Sequence, residues 1–372
     1  MKSKTFLLSL CLLLLAAAGQ TFAQLLAAPQ VDAERRVTFK IQAPDAKDVR
    51  VINLSDSAAM GAKEYVLVKG ADGVWSGVTN PCRPGFHYYE LSIDGFRCSD
   101  PASQAYFGWG KWCSGLEVPG EGLDFYRAQN TPRGEVRFHW YFSKTTGALR
   151  KCLIYTPPDY DKNLTTRYPV LYLQHGAGES ELGWTMQGKV NVILDNLIAA
   201  GKAKPMLIVM DNGYAAKAGA ENPHRPRGED NAFADLVVKE LVPMIDANYR
   251  TLNDRNNRAI AGLSMGAGQA LNIGLSNPDL FASVGAFSGG LWRFDINTSF
   301  NGLFKDAAKF NETYRLFWFG CGDLDGGFAG MQTFHNALEK QGIKHIWFPG
   351  PGSHEWQVWR QHIYEFAQVL FR

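Results

Sequence analysis

Arg258-Ala259-Ile260-Ala261-Gly262-Leu263-Ser264-Met265-Gly266-Ala267-Gly268-Gln269-Ala270-Leu271-Asn272-Ile273 is the stretch that decides the fold. Residues 258–261 are short and apolar, as a buried strand is. Residues 267–273 suit a helix. Between them lies Gly262-Leu263-Ser264-Met265-Gly266, a G-x-S-x-G match. Strand, sharp turn and helix are the setting in which a serine side chain is presented as a nucleophile. The glycines are needed there because larger flanking side chains would strike the strand or the helix.

The pattern continues on both sides. Val136–Tyr141 and Leu149–Tyr155 read as paired strands. Tyr168–Gln174 and Met206–Met210 read as buried strands, and Ser283–Ser288, Leu316–Gly320 and His345–Phe348 continue the alternation of strand and helix. Helical segments fall between them, at Val190–Ala200, Phe233–Tyr249 and Gly330–Gln341, and the chain ends on a helix over Gln357–Phe371. Strands alternating with helices imply a mostly parallel sheet covered on both faces, the α/β-hydrolase architecture. This domain is expected over 134–372.

Upstream the periodicity is different. Arg36–Ile41, Asp48–Val51, Glu64–Val68, Gly73–Gly77 and Phe86–Ile93 are short strands separated by turns such as Ala71-Asp72-Gly73. A small all-β sandwich is expected over 24–101. Residues 102–133 hold Tyr106, Phe107, Trp109, Trp112, Phe125 and Tyr126 among many glycines. They are too aromatic for a free linker. Packing between the domains is expected of them, with a place beside the active site as the alternative. Residues 1–23 read as a secretory signal: Lys2 and Lys4, an apolar core, then Thr21-Phe22-Ala23 before a cleavage point.

The whole chain carries 38 Lys+Arg against 36 Asp+Glu. Lys2 and Lys4 account for the difference, so the remainder is balanced. That argues against nucleic-acid and membrane partners. With Cys11 in the signal, the cysteines left are odd in number. Cys152 and Cys321 lie in strands as buried apolar residues, and one bridge among Cys82, Cys98 and Cys113 is open. No CxxC pair or HExxH motif occurs, and no metal or organic cofactor is implied.

The fold orders its catalytic residues as serine, acid, then histidine along the chain. After Ser264, only His354 follows a strand within a glycine-rich loop, Gly350-Pro351-Gly352-Ser353-His354. The acid should follow the strand before it, where Asp323 and Asp325 both qualify. His175-Gly176-Ala177-Gly178, after the strand ending at Gln174, can offer a backbone N–H to an oxyanion, joined by that of Met265. Ala177 is the favoured donor and Gly178 its rival. His175 reads as structural. The four elements together suit acyl transfer to water through an acyl-enzyme.

These motifs carry a resemblance. Leu173–Gly178 with Trp184, Gly262–Gly266, Gly320–Asp325, and Gly352-Ser353-His354 with Trp356 and Trp359-Arg360 resemble the esterase D group. More narrowly they resemble carbohydrate esterase family one, which holds feruloyl and acetyl xylan esterases. The resemblance covers about 240 residues and implies Asp325 as the acid, aligned with a G-T-x-D-like turn. The departure is Asp323, where the family often has a small hydroxyl residue. The upstream β region resembles early-set, immunoglobulin-like modules found beside glycogen-branching enzymes, through Ala43-Pro44, Asp72–Trp75, Tyr88-Tyr89 and Asp94-Gly95 to Asp100-Pro101. Together the two imply a secreted esterase acting on ferulate esters of plant xylan. Its partners would be feruloylated or acetylated xylan and oligosaccharides. Trp184, Trp292, Phe294 and Trp356 are candidates to line an aryl slot, and Asn222–Arg227 a loop near the sugar. The rival readings are an acetyl xylan esterase with the same triad, a non-catalytic carbohydrate-binding protein, and an acyltransferase.

Overall fold

The computed structural model describes residues 27–56, 59–220, 231–290 and 294–372. The expected signal, Trp292 and the loop Asn222–Arg227 lie outside them. The chain divides into two compact units. One comprises residues up to Tyr106 together with Trp112–Glu121, and the other Phe107–Lys111 together with Gly122–Arg372. The connector read over 102–133 is thus not one segment: its parts belong to both units.

The second unit is built on eight strands: β1 (Glu135–Ser143), β2 (Ala148–Thr156), β3 (Val170–Gln174), β4 (Leu207–Asp211), β5 (Arg258–Leu263), β6 (Ser283–Phe287), β7 (Leu316–Gly322) and β8 (Ile346–Gly350). Their order across the sheet is β1-β2-β4-β3-β5-β6-β7-β8. β1 and β2 form an antiparallel hairpin, β2 meets β4 antiparallel, and every pairing from β4 to β8 is parallel. This is the α/β-hydrolase arrangement.

Four helices matter for the site: α1 (Val190–Ala199), α2 (Met265–Ser276), α3 (Phe328–Gln341) and α4 (Trp356–Val369). The central strands β3 to β7 are apolar on both faces because both faces are covered. Phe317 and Phe319 of β7 point to one side, against Phe334 of α3. Trp318 between them points to the other, against Phe366 of α4, as does Phe287 of β6. The amphipathic stretch expected over Phe233–Tyr249 is helical. Its middle turn, Val237–Leu241, is wound more loosely than the α-helical turns on either side.

The first unit is the expected β-sandwich. One sheet orders Ala27–Val31, Val37–Gln42, Val74–Val78 and Val68–Lys69. The other is centred on Val49–Asn53, Gly85–Ile93 and Lys111–Val118. Alternate residues such as Val37, Phe39, Val49, Val51, Tyr89 and Leu91 form its core. No disulfide joins its cysteines: Cys82, Cys98 and Cys113 are free, as are Cys152 and Cys321.

Trp318 is 1% exposed and fills the layer between β7 and α4. Trp318→Ala is expected to destabilise the second unit by about 3–5 kcal/mol. Urea unfolding followed by tryptophan fluorescence and by circular dichroism would measure it.

Candidate functional site

Ser264 stands between β5 and α2 with φ 52° and ψ −114°. That conformation is costly for a residue with a side chain and persists only when the surroundings enforce it. They do. The Ser264 N–H donates to Phe287 O on β6 at 2.8 Å. A Cβ on Gly262 would lie 2.4 Å from Gly266 O, and one on Gly266 would lie 2.5 Å from His175 O. No other residue fits either position. The elbow therefore packs directly on the chain leaving β3.

His354 follows β8. Its Nε2 lies 2.8 Å from Ser264 Oγ, and its Nδ1 lies 2.7 Å from Asp325 Oδ2. With Nδ1–H donating to the carboxylate, Nε2 accepts from the serine hydroxyl. Asp325 Oδ1 accepts from the Gly327 N–H at 2.8 Å. Burial works to raise the Asp325 pKa. The bond and charge of His354 and the Gly327 amide outweigh it, and the net shift is downward. Asp323 turns elsewhere: it is exposed, and its Oδ1 accepts from the Gly352 N–H at 3.0 Å, tying the β7 loop to the histidine loop. The chain of hydrogen bonds thus runs through Asp325. The indole of Trp359 stands edge-on to the His354 ring, centroids 5.0 Å apart at 88°.

The loop after β3 is held from β4. His175 Nδ1–H donates to Gly176 O at 2.8 Å, and Nε2 accepts from the Gly213 N–H at 2.9 Å. Burial pushes its pKa down to about 4. It is a neutral strut, as its sequence position suggested. The Gly178 N–H is occupied, donating to Tyr214 Oη at 2.7 Å. Met265 is the first residue of α2, where N–H groups have no intrahelical acceptor. The Gly110 N–H donates to Gly178 O at 2.8 Å, so the tip Phe107–Lys111 borders this loop.

A buried ion pair fixes the β4 end. Arg150 Nη2 lies 2.6 Å from Asp211 Oδ1, Tyr141 Oη donates to Asp211 Oδ2 at 2.5 Å, and Arg150 Nη1 donates to Tyr214 O at 3.0 Å. Burial raises the Asp211 carboxyl against the pull of Arg150. Tyr214, Arg150 and Asp211 escaped the sequence reading. Asp211 and Tyr214 had one signal, position at or just past the carboxyl end of a central strand; Arg150, third residue of β2, had none.

The aromatic candidates fare differently. Trp184 and Trp356 are 1% and 2% exposed and pack edge-to-face at 5.4 Å. Trp184 Nε1 donates to Gln174 O. Both are core side chains, which corrects the expectation that they line an aryl slot. They are buried because the loops above β3 and β8 need an apolar filler. Phe294 likewise packs on Phe304 and Phe334. A cleft of about 590 Å³ opens instead beside Gly178 and Tyr214, lined also by Trp140, Leu149, Lys151 and Glu181.

Fold and site together define an α/β-hydrolase with a serine–histidine–aspartate hydrogen-bond chain. Residues 143–317 match the model of a family described as putative esterase. The chain is 37% identical over 350 residues to an endo-1,4-beta-xylanase/feruloyl esterase of Xylanibacter ruminicola. The match covers 92% of this chain and 46% of that protein. Less than half of that relative's length is therefore spanned. A ferulic acid esterase from Anaeromyces mucronatus, solved with ferulic acid, is 28% identical with a TM-score of 0.56. The likeness covers 67% of this chain and 95% of that one. An enterobactin esterase from Shigella flexneri shares the fold at 18% identity and a TM-score of 0.64, over 90% of this chain and 93% of that one. The chain is thus similar to esterases, two of those compared being named for ferulate.

Two expectations follow. Asp325→Asn should lower ester hydrolysis by roughly 10⁴-fold through loss of the correct histidine tautomer, while Asp323→Asn should cost less than about ten-fold; steady-state kinetics on one ester separates them. Neither ring nitrogen of His362 meets a partner among the described residues, and burial takes its pKa down to about 3. His362 and His175 start from an ordinary value of 6.5. The unfolded chain therefore binds protons that the folded one refuses, and stability falls as pH drops from about 6.5 toward 4. His362→Phe should make that fall shallower, read from urea midpoints at pH 7 and pH 5.

Proposed function

We propose that this chain is an exported serine esterase that hydrolyses ferulate and related hydroxycinnamate esters carried on plant xylan. The observation that carries the reading is the hydrogen-bonded chain from Ser264 through His354 to Asp325. The name of the Xylanibacter relative and the likeness to the ferulic acid esterase support the acyl group and the glycan.

In this reading His354 Nε2 takes the Ser264 proton as Oγ attacks the ester carbonyl carbon. Asp325 keeps the imidazole in the tautomer that can accept and stabilises the cation formed. The oxyanion is met by the N–H groups of Met265 and Ala177, since Tyr214 already occupies that of Gly178. The C–O bond to the sugar breaks, and His354 returns the proton to the departing sugar hydroxyl. Water, deprotonated by the same imidazole, then cleaves the acyl-enzyme and releases the free acid. The His354 side chain is 45% exposed, so water reaches it from solvent. Lys2, Lys4 and the apolar run behind them support export. No described helix is long and apolar enough to cross a membrane.

Methyl ferulate and an aryl acetate, offered to wild type and Ser264→Ala, test the reading. Ferulate release that falls by roughly 10⁶-fold in the folded mutant is expected. Release of acetate alone would make the chain an acetyl esterase. Silence on both substrates from folded wild type would end the hydrolase reading.

A further inference from the structure

The outer face of the β1–β2 hairpin is apolar and uncovered. Phe138, Trp140 and Phe142 are 58%, 59% and 65% exposed, and Leu149 opposite them is 65% exposed. Strand alternation puts the three rings in one row, and at about 3.4 Å per residue the row is roughly 13–14 Å long. The intervening residues of β1 face inward: Tyr141 reaches Asp211, and His139 meets Tyr249. Lys151, the cross-strand neighbour of Trp140, holds its ammonium 5.6 Å from the Phe138 ring centre and 5.7 Å from that of Trp140. The rings are thus braced rather than loose. A row of this size on a sheet edge marks a surface that something covers.

The row opens into the cleft of about 590 Å³, which Trp140, Leu149 and Lys151 share with Glu179, Glu181 and Tyr214. Its polar groups are fixed in place. Glu181 takes the Lys151 ammonium at 3.1 Å and the Asn212 amide at 3.0 Å. Glu179 takes the Gln187 amide at 3.0 Å and the Trp356 indole at 3.3 Å. Both carboxylates are 6% exposed. Each Glu181 oxygen retains further acceptor capacity, and the Lys151 ammonium retains donors. The lining sets Arg150 and Lys151 against Glu179 and Glu181, a balance of charge that suits a neutral ligand rich in hydroxyls. Tyr214 belongs both to this cleft and to the loop beside Ser264, through its bond to Gly178.

We infer that this face is a glycan track: the aromatic row and the cleft bind the neutral pyranose backbone flanking the esterified sugar. A sugar ring offers an apolar C–H face to an aromatic ring and a rim of hydroxyls to polar side chains. The hairpin supplies the first, the cleft the second, and continuity through Tyr214 and Gly178 brings the ester to the serine. The inference deepens the esterase reading and rests on it for the identity of the glycan.

The test uses xylohexaose, which carries no ester, and the intact protein with its Trp140→Ala, Phe142→Ala and Trp140→Tyr variants. Calorimetry should find xylohexaose binding weakened about ten-fold by Trp140→Ala and partly restored by Trp140→Tyr. In parallel, kcat/KM on feruloylated arabinoxylan divided by kcat/KM on methyl ferulate should fall about five-fold or more in both alanine variants. Xylohexaose binding that is absent from the parent, or the same in parent and variants, would overturn the track. So would self-association of the parent that Trp140→Ala abolishes while glycan binding persists, since the row would then be a protein interface. Trp140-dependent binding in a protein that leaves methyl ferulate intact would uphold the track and sink the feruloyl reading alone.

Discussion

Everything at this site depends on one backbone residue held where backbones rarely rest. Ser264 has positive φ because β5 ends too close to the start of α2 for any gentler turn. Such a conformation costs on the order of 1–3 kcal/mol. It is offset by the burial of α2 on the parallel strands and by the bond from Ser264 N–H to Phe287 O. The return is geometric. Oγ stands clear of the sheet, the first N–H groups of α2 point beside it, and the histidine loop after β8 can reach it. A relaxed backbone at residue 264 would swing the hydroxyl away from His354 and close the gap that Gly262 and Gly266 keep open.

A second set of contacts supports the far wall. The Arg150–Asp211 pair is buried, and such pairs are seldom strong sources of stability. Here its effect is positional. Arg150 grips the carbonyl of Tyr214, Tyr214 grips the amide of Gly178, and Gly213 grips His175. The hairpin β1–β2 is thereby joined rigidly to the loop beside the serine. Two neighbouring surfaces, one apolar and one polar, are held at fixed separation from one nucleophile.

Much of this was legible in the chain. β5 and β7, the strands that lead to Ser264 and Asp325, are buried on both faces and bounded by glycine-rich turns, so their positions read directly. Ser264 and His354 read equally well, because each lies just past a strand in a loop too glycine-rich for any other purpose. Residues 323 and 325 did not separate on spacing alone. The difference is that Asp325 is buried beneath His354 while Asp323 faces out, a matter of side-chain direction. Glu64–Val68 reads as one strand but is two: Glu64–Val66 pairs with Val49–Asn53, and Val68–Lys69 crosses to pair with Val74–Val78. Leu67 is the buried corner, and alternation runs through it unbroken. Trp184 and Trp356 show the other limit. A tryptophan after a strand is equally suited to a cleft and to a core, and only the packing of one against the other decides.

The five free cysteines among the described residues carry a last consequence. Burial raises the thiols of Cys82, Cys98 and Cys152, and takes that of Cys321 up to about 12. Thiols in that state hold little thiolate at neutral pH and exchange slowly with oxidants. Among the described residues the fold is closed by packing and hydrogen bonds, with no disulfide. The described fold therefore needs no oxidant to close it.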